Sequence, residues 1–369
     1  MIPCRLTGKP FWDLYLYNAP PPWEAYITAA KHFQIDALMD GYCPLVFDDE
    51  TDPLVRTSEK PISLPGEYEY IPDEEWTRYI VFKNEGRIVT QRSRKLNGST
   101  IWEPKVNVYY VADSPTEGVP PAKIGLPDVP ENPIPLEGVK PVDLGPNIIK
   151  HLKELMGDQG IIGAFLVKSL ALHSEADIYK YYDHPEMHEQ WAAERVEAVE
   201  KRFAKIMAMP VKPDFLCCGS SGTLVFQTVD LFRQITFPAV KRGIELATAA
   251  GIPTHIHSCG PEKELIKIMA EETTLSVIDP LEIPPMGDCI LADMKKFYGD
   301  KITLKGNLHT TEVMLHGTVD EVIAASKKAI DDAAEGGRFI LSTGDQCGRD
   351  TPDENLKAMV ETARTYGKY

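Results

Sequence analysis

Two imidazoles and a thiol stand close together in residues 254–260, which read Thr-His-Ile-His-Ser-Cys-Gly. In an extended strand, successive side chains point to opposite faces, so His255, His257 and Cys259 share one face. Imidazole and thiolate are donors that zinc prefers. Short His-x-Cys pairs also arise by chance, and free cysteines are most often small buried residues. The spacing therefore predicts either a metal site at a strand end or a set of packed side chains.

The segment lies within a regular alternation of strand-like and helix-like stretches that begins at residue 146. Five consecutive strand–helix repeats imply parallel strands with right-handed crossovers. A (β/α)8 TIM barrel and an open doubly wound sheet both satisfy this pattern, but no Gly-x-Gly-x-x-Gly follows a strand, which favours the barrel. The predicted strands are 160–167, 214–218, 253–259, 275–278, 302–305 and 339–342, and the predicted helices are 148–156, 186–209, 230–250, 263–271, 288–297, 319–334 and 352–366.

Catalytic groups of such a barrel lie where each strand ends and its loop begins. Polar, small and metal-binding residues gather at five of these positions, namely 218–221, 257–260, Asp279, 306–309 and 343–348. A closed barrel would bring the last loop, with Cys347, to the same mouth as His257 and Cys259. These three residues would then form a zinc site that keeps a fourth position open for substrate. The pattern of residues alone favours neither of two interpretations, a metal site or thiols that are buried by coincidence.

Residues 1–145 follow a different pattern. Asn84-Glu85-Gly86 joins two β-rich runs and predicts an antiparallel hairpin insertion, while residues 114–146 are dense in proline and predict a loop. An aromatic cluster near the N-terminus suits either a core or a platform for an aromatic substrate, and core is the commoner outcome. We predict one domain overall, in which residues 1–145 supply the first barrel elements with the insertion and residues 146–369 supply the main part of the barrel.

Composition narrows the classes of function. The net charge of −16 argues against nucleic acid and against an anionic membrane as partners. The odd number of cysteines, seven in 369 residues, fits reduced thiols better than a disulfide framework. Because the sequence has neither a long apolar run nor the apolar core of a signal peptide at its start, we expect a cytoplasmic protein.

Residues 146–366 resemble the uroporphyrinogen decarboxylase superfamily, and specifically its branch of cobalamin-dependent methyltransferases. The shared pieces occur in the family's order. They are His-x-Cys-Gly at 257–260, Met-Gly-Asp at 286–288, Lys-Gly-Asn-Leu at 305–308, Gly-Thr at 317–318, Ser-Thr-Gly at 342–344 with Cys347, and Thr-Pro-Asp-Glu-Asn-Leu at 351–356. The resemblance implies a (β/α)8 barrel with His257, Cys259 and Cys347 as zinc ligands.

The same resemblance implies a methyl group moving between a small molecule and a corrinoid carried by a partner protein. Zinc held by thiolates and an imidazole can present a thiol as thiolate or stabilise a departing phenolate. We favour a phenyl methyl ether as donor, which would make the reaction an O-demethylation, and a coenzyme M-like thiol acceptor is the alternative. Asn307, His309 and Asp279 are the predicted substrate-binding residues.

Two further hypotheses belong to other classes. A metal-independent decarboxylase-like lyase would need arginines for the carboxylates of a porphyrinogen, yet Arg5 is the only arginine before Arg56. A non-catalytic module that docks a corrinoid protein would bind the partner without depending on Cys259. Both rank behind the zinc methyltransferase.

Overall fold

The computed structural model describes residues 1–39, 45, 47, 62–67, 75–142 and 145–367. Contacts divide the chain into two compact units, one made of residues 1–29 and 69–143 and the other of residues 30–68 and 144–369. Among the helices in the described ranges, none is long and apolar enough to cross a membrane. The single domain with a boundary at residue 145 stays a prediction.

The elements follow one another along the chain in three groups. The first group is α1 (Ile2–Leu6), α2 (Phe11–Tyr15), α3 (Pro22–Phe33) and β1 (Ala37–Met39). The second is β2 (Thr77–Lys83), β3 (Arg87–Leu96), β4 (Ser99–Trp102), β5 (Val106–Tyr110), β6 (Thr116–Val119) and β7 (Ile134–Pro135). The third is α4 (Ile148–Met156), β8 (Ile161–Phe165), α5 (Glu175–Asp183), α6 (His188–Ala208), β9 (Phe215–Cys217), α7 (Phe237–Ala249), β10 (Thr254–His257), α8 (Lys263–Glu272), β11 (Val277–Asp279), α9 (Leu291–Tyr298), β12 (Thr303–Leu308), α10 (Val319–Ala333), β13 (Phe339–Thr343) and α11 (Asp353–Tyr366).

The first unit contains a six-stranded antiparallel sheet. Its order is β6-β5-β3-β2-β7, and β4 pairs with β3. Residues 84–86 connect β2 to β3, whose antiparallel register pairs Lys83 with Ile88. The proline-dense stretch, predicted as a loop, contributes β6 and β7, and both lie at sheet edges, where a missing backbone N–H costs no ladder hydrogen bond.

The N-terminal aromatic residues pack inside this first unit. Phe11 is buried with Leu14 and Cys4. Trp12, Tyr15 and Tyr17 surround a second buried group, which consists of Leu16, Ile88 and Tyr109. These rings therefore have a packing role, which is the commoner of the two outcomes expected for them.

The second unit is built on a seven-stranded sheet in which every pairing is parallel. Its order, β1-β8-β9-β10-β11-β12-β13, follows the chain, so each strand after β8 is added beside the one before it. Helices separate the successive strands, which is the arrangement that parallel pairing requires. The α/β class is confirmed, and the carboxyl ends of β9 to β13 lie along one edge.

Helices depart from the predicted boundaries where the backbone changes its hydrogen-bond pattern. The predicted helix 230–250 is a short turn at Val229–Leu231 and a π-helical segment at Phe232–Thr236, followed by α7. α6 buries Trp191, Val199 and Ile206 together with Arg195 and Arg202, whereas Val196 and Phe203 are only half-buried.

Glycine at position 163 allows β8 and β9 to pack closely. Gly163 pairs with Phe215 across the strands, and a Cβ at this glycine would stand 2.3 Å from the phenyl ring. We expect Gly163→Ala to displace the ring and to lower the free energy of unfolding by about 1–3 kcal/mol, measured by urea denaturation.

The control is Gly86→Ala, since a Cβ there meets only Asn84 Oδ1 at an ordinary 3.7 Å. Equal stability losses in the two variants would contradict the packing explanation.

Candidate metal centre

Three adjacent parallel strands place His257, Asp279 and Lys305 in one row. β10 and β11 pair His257 with Asp279 directly. β11 and β12 pair Ile278 with Leu304, so the next residues along, Asp279 and Lys305, are neighbours. Residues in register on neighbouring strands point to the same face, so the charged groups of this row lie together. The row is at the carboxyl end of the sheet.

Asp279 is the centre of this row. Its carboxylate is only 4% exposed, and its Oδ1 lies 2.7 Å from His255 Nε2 and 3.2 Å from His257 Nδ1. Lys305 Nζ donates to Oδ2. Burial alone would raise the pKa of Asp279, but the positive charges of His255 and Lys305 hold it well below its usual value. Asp279 is therefore an ionised, desolvated acceptor.

His257 presents its other ring nitrogen to the site. Because an ionised carboxylate only accepts hydrogen bonds, His257 Nδ1 carries the proton that faces Asp279. Nε2 lies 3.3 Å from Ser221 Oγ and 3.7 Å from Asp345 Oδ1. Burial would lower the pKa of His257, yet hydrogen bonds to Asp279 and Cys259 raise it to about 10. A metal ion bound at Nε2 would displace a proton from the ring.

Cys259 follows β10 by two residues and faces the same site. Its Sγ lies 2.8 Å from Ser221 Oγ. The hydrogen bond from His257 lowers the pKa of the thiol, and the contact with Ser221 lowers it further against the opposing effect of burial. Lowered thiol pKa values favour thiolate, the form that binds metals.

His257, Cys259 and Asp345 bring one ligand atom each to within 4.8 Å of one another. Nitrogen, sulfur and carboxylate oxygen all belong to the donor set of zinc, so the chemistry of these residues fits that ion. Cys347 is outside this group in the described structure. Burial raises the pKa of its thiol to about 11, against the opposing effect of the neighbouring side chains of Thr343 and Thr351. Cys347 as third ligand stays a prediction.

A small open cavity is lined by residues at the ends of β11, β12 and β13. Its empty volume is about 180 Å³, and Asn307 and His309, two of the predicted substrate-binding residues, line it. The other lining residues are Glu282, Ile283, Met286, Thr310 and Gly344. The third predicted substrate-binding residue, Asp279, is buried against His255, His257 and Lys305 and is not among the lining residues. It instead contacts Nδ1 of His257 and so fixes the orientation of that ring.

Two buried acids connect the loops around the site. Glu282 Oε2 accepts the backbone N–H of Gly260 at 2.6 Å, which fixes the turn after Cys259. Glu262 Oε2 accepts the backbone N–H of Leu281 at 2.6 Å, while its Oε1 has no hydrogen-bond partner. Burial raises the pKa of both acids, and the charge of Asp279 adds to the shift at Glu262.

The sequence predicts which strand ends carry the site, but it does not reveal several of the side chains that contact His257, Cys259 and Asp279. Ser221 belongs to one of the strand-end segments, yet nothing in the sequence indicates that it reaches both His257 and Cys259. Lys305 is detectable only once the register of β11 and β12 is known. Asp345 lies two residues before Cys347, in the same loop.

Comparison with known proteins places this site in a family context. Residues 218–366 match the uroporphyrinogen decarboxylase (URO-D) family. Over 139 residues the chain is 30% identical to the methylcobamide:CoM methyltransferase MtaA of Methanosarcina barkeri and 28% identical to MtbA of Methanosarcina mazei. Each match spans 37% of this chain and 37% of the relative.

A solved structure of a methyltransferase from Methanosarcina mazei superposes on the chain with a TM-score of 0.58 at 18% identity. The alignment covers 99% of this chain and 90% of the other, which shows a shared fold. The predicted resemblance to the uroporphyrinogen decarboxylase superfamily and its corrinoid methyltransferase branch is confirmed.

The raised pKa of the buried Glu262 can be tested through the pH dependence of stability. The pKa of this carboxyl rises on folding from 4.5 in the unfolded chain. Such a group contributes its full stabilisation of the folded state below pH 4.5, and this contribution is lost as the pH rises towards the folded pKa. In Glu262→Gln this loss is absent. Relative to the unmodified protein, we expect the variant to gain up to about 1.4 kcal/mol of unfolding free energy for each pH unit above 4.5, until the folded pKa of Glu262 is reached, measured by urea denaturation.

Glu264→Gln, at an exposed position two residues further along, in the first turn of α8, is the matched control and should show no such gain. A constant difference between Glu262→Gln and the unmodified protein at every pH would contradict a protonated Glu262.

Proposed function

We propose that the chain is a corrinoid-dependent methyltransferase that transfers a methyl group from a methylated corrinoid protein to a thiol, with a zinc ion at His257 and Cys259. One observation carries the proposal: an imidazole and a low-pKa thiol converge at the carboxyl edge of a parallel sheet. This convergence falls inside residues 218–366, the stretch that matches the uroporphyrinogen decarboxylase (URO-D) family.

The proposal includes a finer description of the fold. The seven parallel strands run in chain order, as do those of a barrel wall, and the family match points to the same architecture. We therefore take the second unit as a (β/α)8 barrel, to which the sheet with the β2–β3 hairpin is an insertion. Barrel enzymes carry their chemistry at the carboxyl ends of the strands, which is where His257 and Asp279 end theirs.

Zinc would be held by His257, Cys259 and a third residue from the loop after β13, either Cys347 or Asp345. When bound, zinc supplies Lewis acidity that keeps a ligated thiol as thiolate at neutral pH. The protein's own residues prepare the site. Asp279 holds the Nδ1–H of His257 so that Nε2 faces the metal, and Ser221 contacts the sulfur of Cys259. Such outer partners fix the orientation of the ligands.

A thiol acceptor is better supported than the phenyl methyl ether expected from sequence. The relatives are named for transfer to coenzyme M, a thiol. The aromatic residues that suggested an aromatic donor pack in the core of the first unit. Thiol methylation is therefore the function we propose for this site, and demethylation of an ether ranks second.

The corrinoid protein would dock on exposed apolar side chains around the strand ends. Val225 and Phe226, in the loop after β9, are 50% and 64% exposed, and Met286 and Ile290, after β11, are 45% and 52% exposed. Val225 contacts the position of Gly260, next to Cys259. Apolar groups that are clustered and exposed beside a site commonly mark a partner surface.

Zinc content tests the metal site. Protein purified without chelators should contain about one equivalent of zinc, and Cys259→Ala less than about half an equivalent, because a site that loses a thiolate loses most of its affinity. Cys347→Ala and Asp345→Ala, analysed together, identify the third ligand as the variant that loses its zinc.

Cys289→Ala is the control, because that thiol is buried and its pKa is raised out of the range of metal ligands at neutral pH. Retention of a full equivalent of zinc by Cys259→Ala would contradict the site.

Methyl transfer tests the function and the docking surface together. With methylcobalamin and a thiol, we expect the absorption spectrum to change as the methyl group leaves cobalt. Phe226→Ser should raise the KM for a methylated corrinoid protein about tenfold, since large apolar residues dominate interface energies, while transfer from free methylcobalamin stays unchanged.

Phe297→Ser removes an equally large exposed ring from α9 and should leave both rates unchanged. A Phe226 variant that slows transfer from free methylcobalamin as much as from the protein would contradict a docking role.

A further inference from the structure

We propose that Asp345, and not Cys347, is the third protein ligand of the metal site. The ion would then be held by one imidazole nitrogen, one thiolate and one carboxylate oxygen. This inference rests on the proposed function and replaces the second cysteine that the sequence predicts. Three features of the loop after β13 support it: the position of the Asp345 carboxylate, the backbone conformation of Asp345, and the surroundings of Cys347.

The end of β13 brings the Asp345 carboxylate to His257 and Cys259. Gly344 follows the last residue of β13, and its N–H donates to the carbonyl of Leu308 on β12 at 2.7 Å. Asp345 comes next, and its Oδ1 lies 3.7 Å from His257 Nε2. The donor atoms of the three residues all lie within 4.8 Å of one another. Ligand atoms of one tetrahedral zinc ion stand roughly 3–4 Å apart, so this spacing suits a shared ion.

Two hydrogen bonds within the loop hold Asp345 in place. Its Oδ1 accepts the backbone N–H of Gln346 at 2.7 Å, and its backbone carbonyl accepts the hydroxyl of Thr343 at 2.7 Å. A carboxylate oxygen that accepts one hydrogen bond keeps a second lone pair, which can bind a cation. The side chain is 28% exposed, so it is reachable from solvent. The carboxylate is therefore oriented by the loop itself and is open to an ion.

The backbone of Asp345 adopts a conformation that residues with a side chain rarely take. Its φ is 155°, in a region occupied almost only by glycine. The same loop contains Gly344 and Gly348, yet neither of these glycines has a positive φ. Strained backbone of this kind clusters at functional sites, where the surrounding contacts maintain it. The strain thus falls on the residue whose carboxylate reaches His257, as expected of a metal ligand.

Cys347 has different surroundings. Its neighbours include the side chains of Thr343 and Thr351, and Thr351 is completely buried. Among the residues that the structure describes, the cluster of ligand atoms at His257 and Cys259 takes in Asp345 but not Cys347. A free cysteine packed among such neighbours commonly has no role beyond packing. Cys347 would become a ligand only if the loop rearranged.

A carboxylate in place of a second thiolate changes the chemistry of the ion. The formal charge of the ligand set is the same, because each group carries one negative charge. Carboxylate is the harder donor and shares less of its charge with a metal than the soft thiolate does. Zinc in this set would therefore be the stronger Lewis acid, which favours ionisation of a thiol bound at the open position.

Cobalt(II) in place of zinc counts the thiolate ligands, because each one adds sulfur-to-cobalt charge-transfer absorption in the near ultraviolet. We expect the full-length protein loaded with cobalt(II) alone to show the absorption of a single thiolate. Cys259→Ser should abolish this band, and Cys347→Ser should leave it unchanged. Asp345→Asn should keep the band when saturated with cobalt but bind the ion at least about tenfold more weakly, because it loses a charged ligand.

Asp345→Cys tests the position by gain of a ligand. If residue 345 faces the ion, the new thiolate should raise the charge-transfer absorption to about twice that of the unmodified protein, since a second soft donor joins the first. Cys289→Ser removes a buried thiol outside the site and is the control, for which we expect no change in the band. Saturation with cobalt is checked for every variant by titration.

The outcomes separate this inference from the proposed function. Absorption of two thiolates that falls by half in Cys347→Ser, or an unchanged band in Asp345→Cys, would overturn the role of Asp345 while methyl transfer to a thiol still stands. A single-thiolate band in a protein that methylates no thiol would support Asp345 and contradict the proposed function. Failure to bind cobalt at all would overturn the metal site and the inference with it.

Discussion

The buried carboxylate of Asp279 is the constraint on which the site depends. An ion removed from water costs several kcal/mol unless neighbouring charges offset the loss. Here two imidazoles and an ammonium group supply that compensation within hydrogen-bond or ion-pair distance. The parallel register delivers these groups: β10, β11 and β12 each contribute residues to the same row. Removal of any one of these three partners would leave part of the Asp279 charge uncompensated.

This arrangement explains why His257 is suited to bind a metal while His255 is not. Both histidines lie on the same face of β10, as strand alternation requires. His255 is 6% exposed, stands edge-on to Phe215 and faces Asp279, so both of its ring nitrogens are buried. His257, two residues nearer the strand end, has one nitrogen on Asp279 and the other facing Cys259 and Asp345. Depth in the sheet therefore separates a buried supporting histidine from one whose second nitrogen is available to a ligand.

Sequence reasoning succeeded where local pattern decides structure. The alternation of strands and helices, the parallel pairing and the position of His257 and Cys259 at a strand end all follow from short stretches. Lys305 and Ser221 escaped prediction because their contacts depend on register between distant segments. The burial of Arg195 and Arg202 on α6 also escaped prediction, because long basic side chains are buried only where partners such as the Phe165 carbonyl are present. Whether Asp345 or Cys347 would be the third ligand of the proposed metal site depends on the conformation of one loop, which no periodicity specifies.

The zinc affinity of Asp279→Asn measures directly how far Asp279 organises the proposed metal site. Asparagine preserves the shape of the side chain but removes the charge that fixes the proton of His257 on Nδ1. In competition with a chromophoric chelator, we expect the variant to bind zinc about 10- to 100-fold more weakly than the unmodified protein, as happens elsewhere when the carboxylate behind a ligand histidine is lost. An unchanged affinity in a folded variant would contradict the claim that Asp279 organises the metal site.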